Sequence, residues 1–264
     1  MAETPTLITI PFSHFCEKAR WGADYAGFAY RERGYAPGLH VRPMRRARGR
    51  TVPVLVTSEA TFKDSTDILK HLDSSLDGGR KLYPTGAVEL REVDALVARF
   101  DHELGPAARL LAYHHLLPVP GKLASIVAAK RSSGERFQLR VIISLVRPLI
   151  RKRMGIHDES AARATATIER VFADMSARLE QREGGKGSAA ARTFLAGDRF
   201  GAADLTFAAL AAPVILPPGH PQYTSDAALL PETLRECCER LRATRAGQLV
   251  IDLYRDHRGV PAKP

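Results

Sequence analysis

Ser13 and Cys16 stand three residues apart where a short β-branched run, Leu7 to Ile10, gives way to an amphipathic helical pattern from Phe15 to Ala26 that stops at Gly27. The start of a helix presents unpaired N–H groups and the positive end of the helix dipole, a setting that favours an anion such as a thiolate. A serine hydroxyl there can donate a hydrogen bond to the sulfur of a bound thiol, and a cysteine there can itself be activated. The alternative is structural: Ser13 as a plain N-cap and Cys16 as a small buried hydrophobe. A free thiol titrates near ~8.5, so lowering it by about two units stabilises the thiolate by roughly 2.7 kcal/mol and makes it the main form at neutral pH. A second grouping is Asp64-Ser65, which joins a carboxylate, a hydroxyl and helix N-terminal amides at one point.

These residues need a scaffold of strands and helices in a particular order. After Leu7–Ile10 and its helix comes a loop rich in Pro, Gly and Arg that holds a probable strand, then Val52-Pro-Val-Leu-Val56, the polar link Thr57–Ala60 and Thr61-Phe-Lys63, read together as a β-hairpin. Pro53 begins its strand, a place that need not donate to the ladder. Asp64 to Asp67 then offer caps to a helix whose apolar positions are Ile68, Leu69 and Leu72. The order β, α, β, β-β-α fits in fewer than about 80 residues. The stretch from Ser74 to Gly86 has three glycines and a proline and no helical period, so the domains divide as 1–77, a linker at 78–86, and 87–264. Beyond it, apolar residues recur at three- and four-residue spacing over Val88–His115, Gly121–Arg131, Phe137–Met154, Glu159–Arg182, Ala203–Leu216 and Pro231–Tyr254, which predicts an all-helical second half. Glu183 to Ser188 reads as an inter-helix loop; Lys186 is followed by Gly187 and no strand precedes it, so it is not a phosphate loop.

Taken in order, Ser13-His-Phe-Cys-Glu-Lys-Ala-Arg20, Thr51-Val-Pro-Val-Leu55 and Asp64-Ser65 resemble the glutathione-binding half of glutathione transferases. Gly197-Asp-Arg-Phe-Gly-Ala-Ala-Asp204-Leu resembles that family's signature at the start of a core helix of the second domain, with Gly201 where a Ser or Thr cap is usual and Asp204 able to accept from the Gly201 N–H. The resemblance implies a thioredoxin-like α/β N-terminal domain followed by an all-α C-terminal domain. It implies glutathione as co-substrate, Ser13 as the residue that activates its thiol, a cis Val52–Pro53 bond with the Val52 backbone pairing with the cysteinyl part, and Ser65 and Asp64 reading the γ-glutamyl carboxylate and amine. Arg50 stands nearest to the basic residue that the family often has before the Val-Pro pair. A hydrophobic electrophile or a peroxide is the second substrate, in a pocket between the domains near Phe12, with Tyr113 and Phe207 as candidate lining. The implied role is detoxification, by a homodimer. Two other readings stay open: a thiol-disulfide oxidoreductase working through Cys16, and a non-catalytic ligand-binding protein of the same fold, to which Thr51 and Gly201 point.

The remaining features narrow the choice less. His14, beside Ser13, is expected to face solvent. His102, His114 and His115 share one predicted helix but complete no metal-ligand set, so no metal is expected. With 264 residues, 45% hydrophobic, the chain suits a packed protein of one or two domains. Basic residues exceed acidic ones by ten, partly in Arg42–Arg50 and Arg147–Arg153. No aromatic interleaves the first cluster, which disfavours nucleic acid. Arg140 to Arg153, apolar on one side and basic on the other, reads first as core packing; cover for the pocket, a membrane surface or a partner helix are its other readings. The longest apolar stretch, Leu205 to Pro218, is shorter than a bilayer span and reads as a buried core helix. The first residues lack a basic leader, and two of three cysteines, Cys237 and Cys238, are adjacent, so a cytoplasmic protein with free thiols is expected.

Overall fold

The computed structural model describes residues 4–184 and 193–259. The N-terminal half is a four-stranded sheet: β1 (Thr6–Thr9), β2 (Arg31–Gly34), β3 (Val54–Val56) and β4 (Thr61–Phe62) in the order β2-β1-β3-β4. β1 pairs parallel with β2 and antiparallel with β3, and β3 pairs antiparallel with β4. The alternation of β1 fixes the layers. Leu7 joins Leu55 and the buried faces of α1 (His14–Tyr25) and α3 (Ser65–Ser74), through Ala19, Ala23, Ile68 and Leu72. Ile8 points the other way, into a small core with Val54 and Met44. Met44 comes from α2 (Val41–Arg46), a short helix inside the stretch expected to be loop.

α1 is buried over all but Phe15 and Asp24, because it lies between the sheet layer and the helical half. Its charged residues are therefore paired: Glu17 accepts from Arg20 at 2.7 Å and from Arg258 at 2.6 Å, and Lys18 meets Asp101 at 2.8 Å. Gly27, left-handed at φ 63°, ends the helix as the sequence predicts.

The second half is helical: α4 (Ala87–Arg99), α5 (Gly105–Leu116), α6 (Pro120–Val127), α7 (Ser133–Met154), α8 (Asp158–Gly184), α9 (Ala202–Ile215), α10 (Glu232–Ala243) and α11 (Arg245–Asp256). Three boundaries differ from the sequence reading. The helix expected over Val88–His115 contains a π-helical turn at Phe100–Leu104. The one expected over Pro231–Tyr254 breaks at Thr244, which is extended and caps α11 by accepting from the Gly247 N–H at 3.0 Å. The loop expected over Glu183–Ser188 begins as the last turn of α8 and lies otherwise outside the described residues.

α9 is buried on every side, the signature of a central helix. Asp204 accepts from Gly201 at 3.1 Å and Leu195 at 2.8 Å. A Cβ on Gly201 would lie 3.0 Å from the Leu82 carbonyl oxygen, which itself accepts from Ala202 at 2.9 Å. That close approach of the interdomain segment accounts for glycine at a cap position where serine would be more usual.

α7 corrects the core-packing expectation. Ile143 is its one buried residue, while Phe137, Val141, Leu145 and Leu149 face outward at four-residue intervals. Helical periodicity had identified the helix; it does not say whether a face is covered.

Candidate functional site

The loop between β1 and α1 delivers Ser13 to the helix start, extended at φ −77° and ψ 126°, with Oγ accepting from the Cys16 N–H at 3.4 Å. Ser13 is half-buried and opens onto a cavity of about 220 Å³ between the halves of the molecule. Cys16, one turn later, points into the core with no exposed surface, and burial pushes its thiol up rather than down. Position near a helix N-terminus activates a thiol only where the thiolate stays solvated, and here the desolvation outweighs the help from Arg20 and Ser13.

The Val52–Pro53 bond is cis. Val52 and Thr51 border both the first cavity and a second, of about 740 Å³, which runs on to Pro53, Asp64 and Ser65. Ser65 is buried at the start of α3; Asp64 is exposed and caps that helix, one carboxylate oxygen accepting from the Thr66 N–H at 2.7 Å. Arg109 of α5 also borders both cavities, which therefore adjoin across Thr51, Val52 and Arg109, Ser13 lying on the first and Ser65 on the second; together they make up the cleft.

Of the residues proposed for the apolar pocket, Phe12 and Tyr113 line the first cavity and Phe207 does not. Phe207 is fully buried within the helical core, its ring 5.1 Å from Phe100 and 5.3 Å from Phe172. The helical period of α9 marks it as apolar, but every face of α9 is covered, so facing a ligand is reserved for its last turn, at Pro213 and Leu216. Arg50 is exposed and borders the Ser13 end of the cleft, away from Ser65. No residue of α7 lines the Ser13 cavity, so that helix is not its cover.

His14 is not solvent-facing: it is 3% exposed, its Nε2 donating to the Gly105 carbonyl at 2.9 Å. Burial, reinforced by the Arg109 charge, lowers it to about 3, so it is a neutral donor that ties α1 to α5 and not a base.

The sequence reading missed five contributors. Tyr223, from the loop after α9, lines the Ser13 cavity and donates to the Phe12 carbonyl at 2.7 Å, fixing the backbone just before Ser13. Lys18, Thr66 and Asp101 form a closed triad: Lys18 donates to Thr66 at 2.6 Å and to Asp101 at 2.8 Å, and Thr66 donates to Asp101 at 2.6 Å. The triad locks α1, α3 and the π-helical turn at the floor of the Ser65 end. Arg109, the fifth, packs its guanidinium 6.0 Å from the Phe15 ring centre. None had a local signal, since each gains its role from a neighbour dozens of residues away. Among the described residues no group of His, Cys, Asp and Glu is placed to hold a metal ion, and no helix is long and apolar enough to cross a membrane.

Residues 7–79 match the family model for the glutathione S-transferase N-terminal domain. Among solved structures, glutathione transferase GSTFuA3 from Phanerochaete chrysosporium is 17% identical, with a TM-score of 0.60 over 98% of this chain and 99% of that one. Poplar glutathione transferase F1 is 15% identical, with a TM-score of 0.53 over 97% and 100%. Ure2p, solved in complex with glutathione, is 17% identical, with a TM-score of 0.57 over 96% and 98%. No curated protein sequence matches the chain. At such identities the structural likeness speaks to fold, and the sequence match speaks to residues 7–79. Residues 7–79 thus match the glutathione S-transferase N-terminal domain in sequence, and the chain shares the fold of the glutathione transferases along nearly its whole length.

Proposed function

We propose that the protein is a glutathione transferase in which Ser13 holds the glutathione sulfur as a thiolate for attack on a hydrophobic electrophile. The observation that carries the reading is the cleft itself: the hydroxyl at the start of α1 and the amide-rich start of α3 border two adjoining cavities, and the Val52 backbone borders both. Glutathione lies along it with its γ-glutamyl end at Ser65 and Asp64, its cysteinyl backbone on Val52 in the manner of one rung of a sheet, and its sulfur at Ser13. Asp64 keeps one carboxylate oxygen for the amine, because the other is engaged by Thr66. The apolar end of the cleft, with Phe12, Tyr113 and Leu116, takes the electrophile. Residues 1–77 then bind glutathione, 78–86 link, and 87–264 supply most of the second site. The three buried free cysteines, Cys16, Cys237 and Cys238, support a reducing, cytoplasmic setting.

The burial of Cys16 and its raised thiol favour this reading over a Cys16 oxidoreductase. Calorimetric titration with glutathione, together with conjugation of 1-chloro-2,4-dinitrobenzene, decides between them. Ser13→Ala is expected to keep glutathione binding and to lose turnover by about 25-fold at pH 7, the fall in thiolate fraction when a thiol held near about 6.5 returns to about 8.5. Cys16→Ser is expected to retain turnover. Turnover that survives Ser13→Ala and disappears with Cys16→Ser reverses the assignment, and binding without turnover of any electrophile makes the protein a carrier.

A further inference from the structure

The Ser13 end of the cleft is apolar in its walls and cationic in its charge. Arg50 and Arg109 border it, and no aspartate or glutamate does. His14 adds no charge of its own, being held neutral by burial. The Ser65 end is built oppositely: Asp64, Asp67, Asp94 and Asp101 border it, with Lys63 and Lys70 among them. Arg109 stands where the two ends meet. Its Nε is buried without a hydrogen-bond partner among the described residues, and no carboxylate there lies within ion-pair distance of its guanidinium. Its terminal nitrogens, which are not among the buried atoms and have no protein partner among the described residues, are the donors that a ligand carboxylate can meet.

We infer that the apolar end of this cleft selects electrophiles that carry a carboxylate or similar acid group, bound by Arg109, with an apolar ring seated against Leu116, Leu123 and Ile126. The inference rests on the transferase reading for its chemistry and on the unpaired guanidinium for its specificity. A 150 Å³ engineered cavity in another protein holds benzene, so about 220 Å³ takes one substituted aromatic ring. The reaction is a substitution: the glutathione thiolate forms a C–S bond at the ring carbon that bears halide, the C–halogen bond breaks, and halide leaves with the electron pair. The thiol proton passes to solvent. Arg109 touches neither sulfur nor halide in this scheme; it is a specificity-determining residue that orients the ring by its acid group.

The test pairs a neutral electrophile, 1-chloro-2,4-dinitrobenzene, with an anionic one, 4-chloro-3,5-dinitrobenzoate, each corrected for its uncatalysed rate with glutathione. The ratio of kcat/KM for the benzoate to that for the neutral compound is expected to fall at least tenfold in Arg109→Met and to recover largely in Arg109→Lys. A ratio that does not change while KM for glutathione rises assigns Arg109 to a glutathione carboxylate and overturns the inference. A second arm needs neither catalysis nor a variant: calorimetry of 3,5-dinitrobenzoate against 1,3-dinitrobenzene with the wild-type protein, without glutathione. The anion is expected to bind at least tenfold tighter, with an advantage that shrinks as salt is raised. Equal binding overturns the inference. Preferential anion binding by a protein that turns over neither electrophile upholds the anion site and removes the transferase reading instead.

Discussion

Two buried imidazoles make the fold sensitive to acid in a way that can be worked out group by group. His14 is lowered to about 3 and His220 to about 4, in both cases chiefly by burial. The geometry gives the reason for His220: its Nδ1 accepts from the N–H groups of Gln222 at 3.1 Å and Tyr223 at 2.9 Å, so a proton on Nδ1 would face two donors. His14 donates from Nε2 to Gly105 and sits in the field of Arg109. Since both folded values lie below the ordinary 6.5, the unfolded chain binds more protons between about pH 6.5 and pH 3. Stability therefore falls as pH falls through that window and is unaffected by these groups above it. Between pH 8 and pH 5 the proton count costs about 2 kcal/mol for each imidazole. Asp204 acts in the opposite sense: burial raises it to about 7, so between about pH 7 and its ordinary 3.8 the folded state holds the extra proton, and acidification to pH 5 returns up to about 2.6 kcal/mol. The wild-type curve mixes the three, and variants separate them. In His14→Gln the amide nitrogen can replace Nε2 as donor to Gly105, and in His220→Asn the amide oxygen can replace Nδ1 as acceptor; neither titrates. Urea unfolding followed by the fluorescence of Trp21 reports the interface directly. It is the sole tryptophan, fully buried, 4.7 Å from Tyr254 and 5.9 Å from Phe200 between ring centres. Each variant should lose about 2 kcal/mol less than wild type on going from pH 8 to pH 5. Equal losses in wild type and variants would refute the assignment of acid sensitivity to these rings.

Two further substitutions probe the site's support. Asp101→Asn leaves the Lys18 ammonium buried beside Thr66 without its carboxylate and should cost about 3–5 kcal/mol by urea unfolding; Lys18→Met combined with Asp101→Leu should cost markedly less, because no unpaired charge remains. Phe207→Ala should cost about 3–5 kcal/mol through the cavity left between Phe100 and Phe172, yet leave KM for both substrates of conjugation unchanged, since that ring is outside the cleft.

The parts of this protein that were legible in the sequence are those whose physics is local. A β-branched run followed by a capped helix, a proline opening a strand and an Asp-Ser pair opening the next helix each carry their signal within a few residues, and Ser13, Val52, Pro53, Asp64 and Ser65 each border one or both of the adjoining cavities. What the sequence could not show was which way a side chain faces once a second layer covers the first. His14 and Cys16 look equivalent to Ser13 as residues at a helix start, but α1 is buried on nearly all sides: Cys16 does not reach the cleft, and His14 borders it with its Nε2 committed to Gly105, which leaves the Ser13 hydroxyl. Phe207 and Tyr113 look alike as aromatics on helices, but α9 is enclosed while α5 borders the cleft. Arg109 was one arginine among many in a chain with a formal charge of +10, and composition assigns that excess to solvent. Its meaning comes from what surrounds it: an apolar wall, a buried Nε with no partner, and a cavity without carboxylates. On the proposed function, the stretch that matches the family model carries the groups that would hold glutathione, and the second substrate would be chosen by residues like Arg109, whose type is unremarkable until the helices place it.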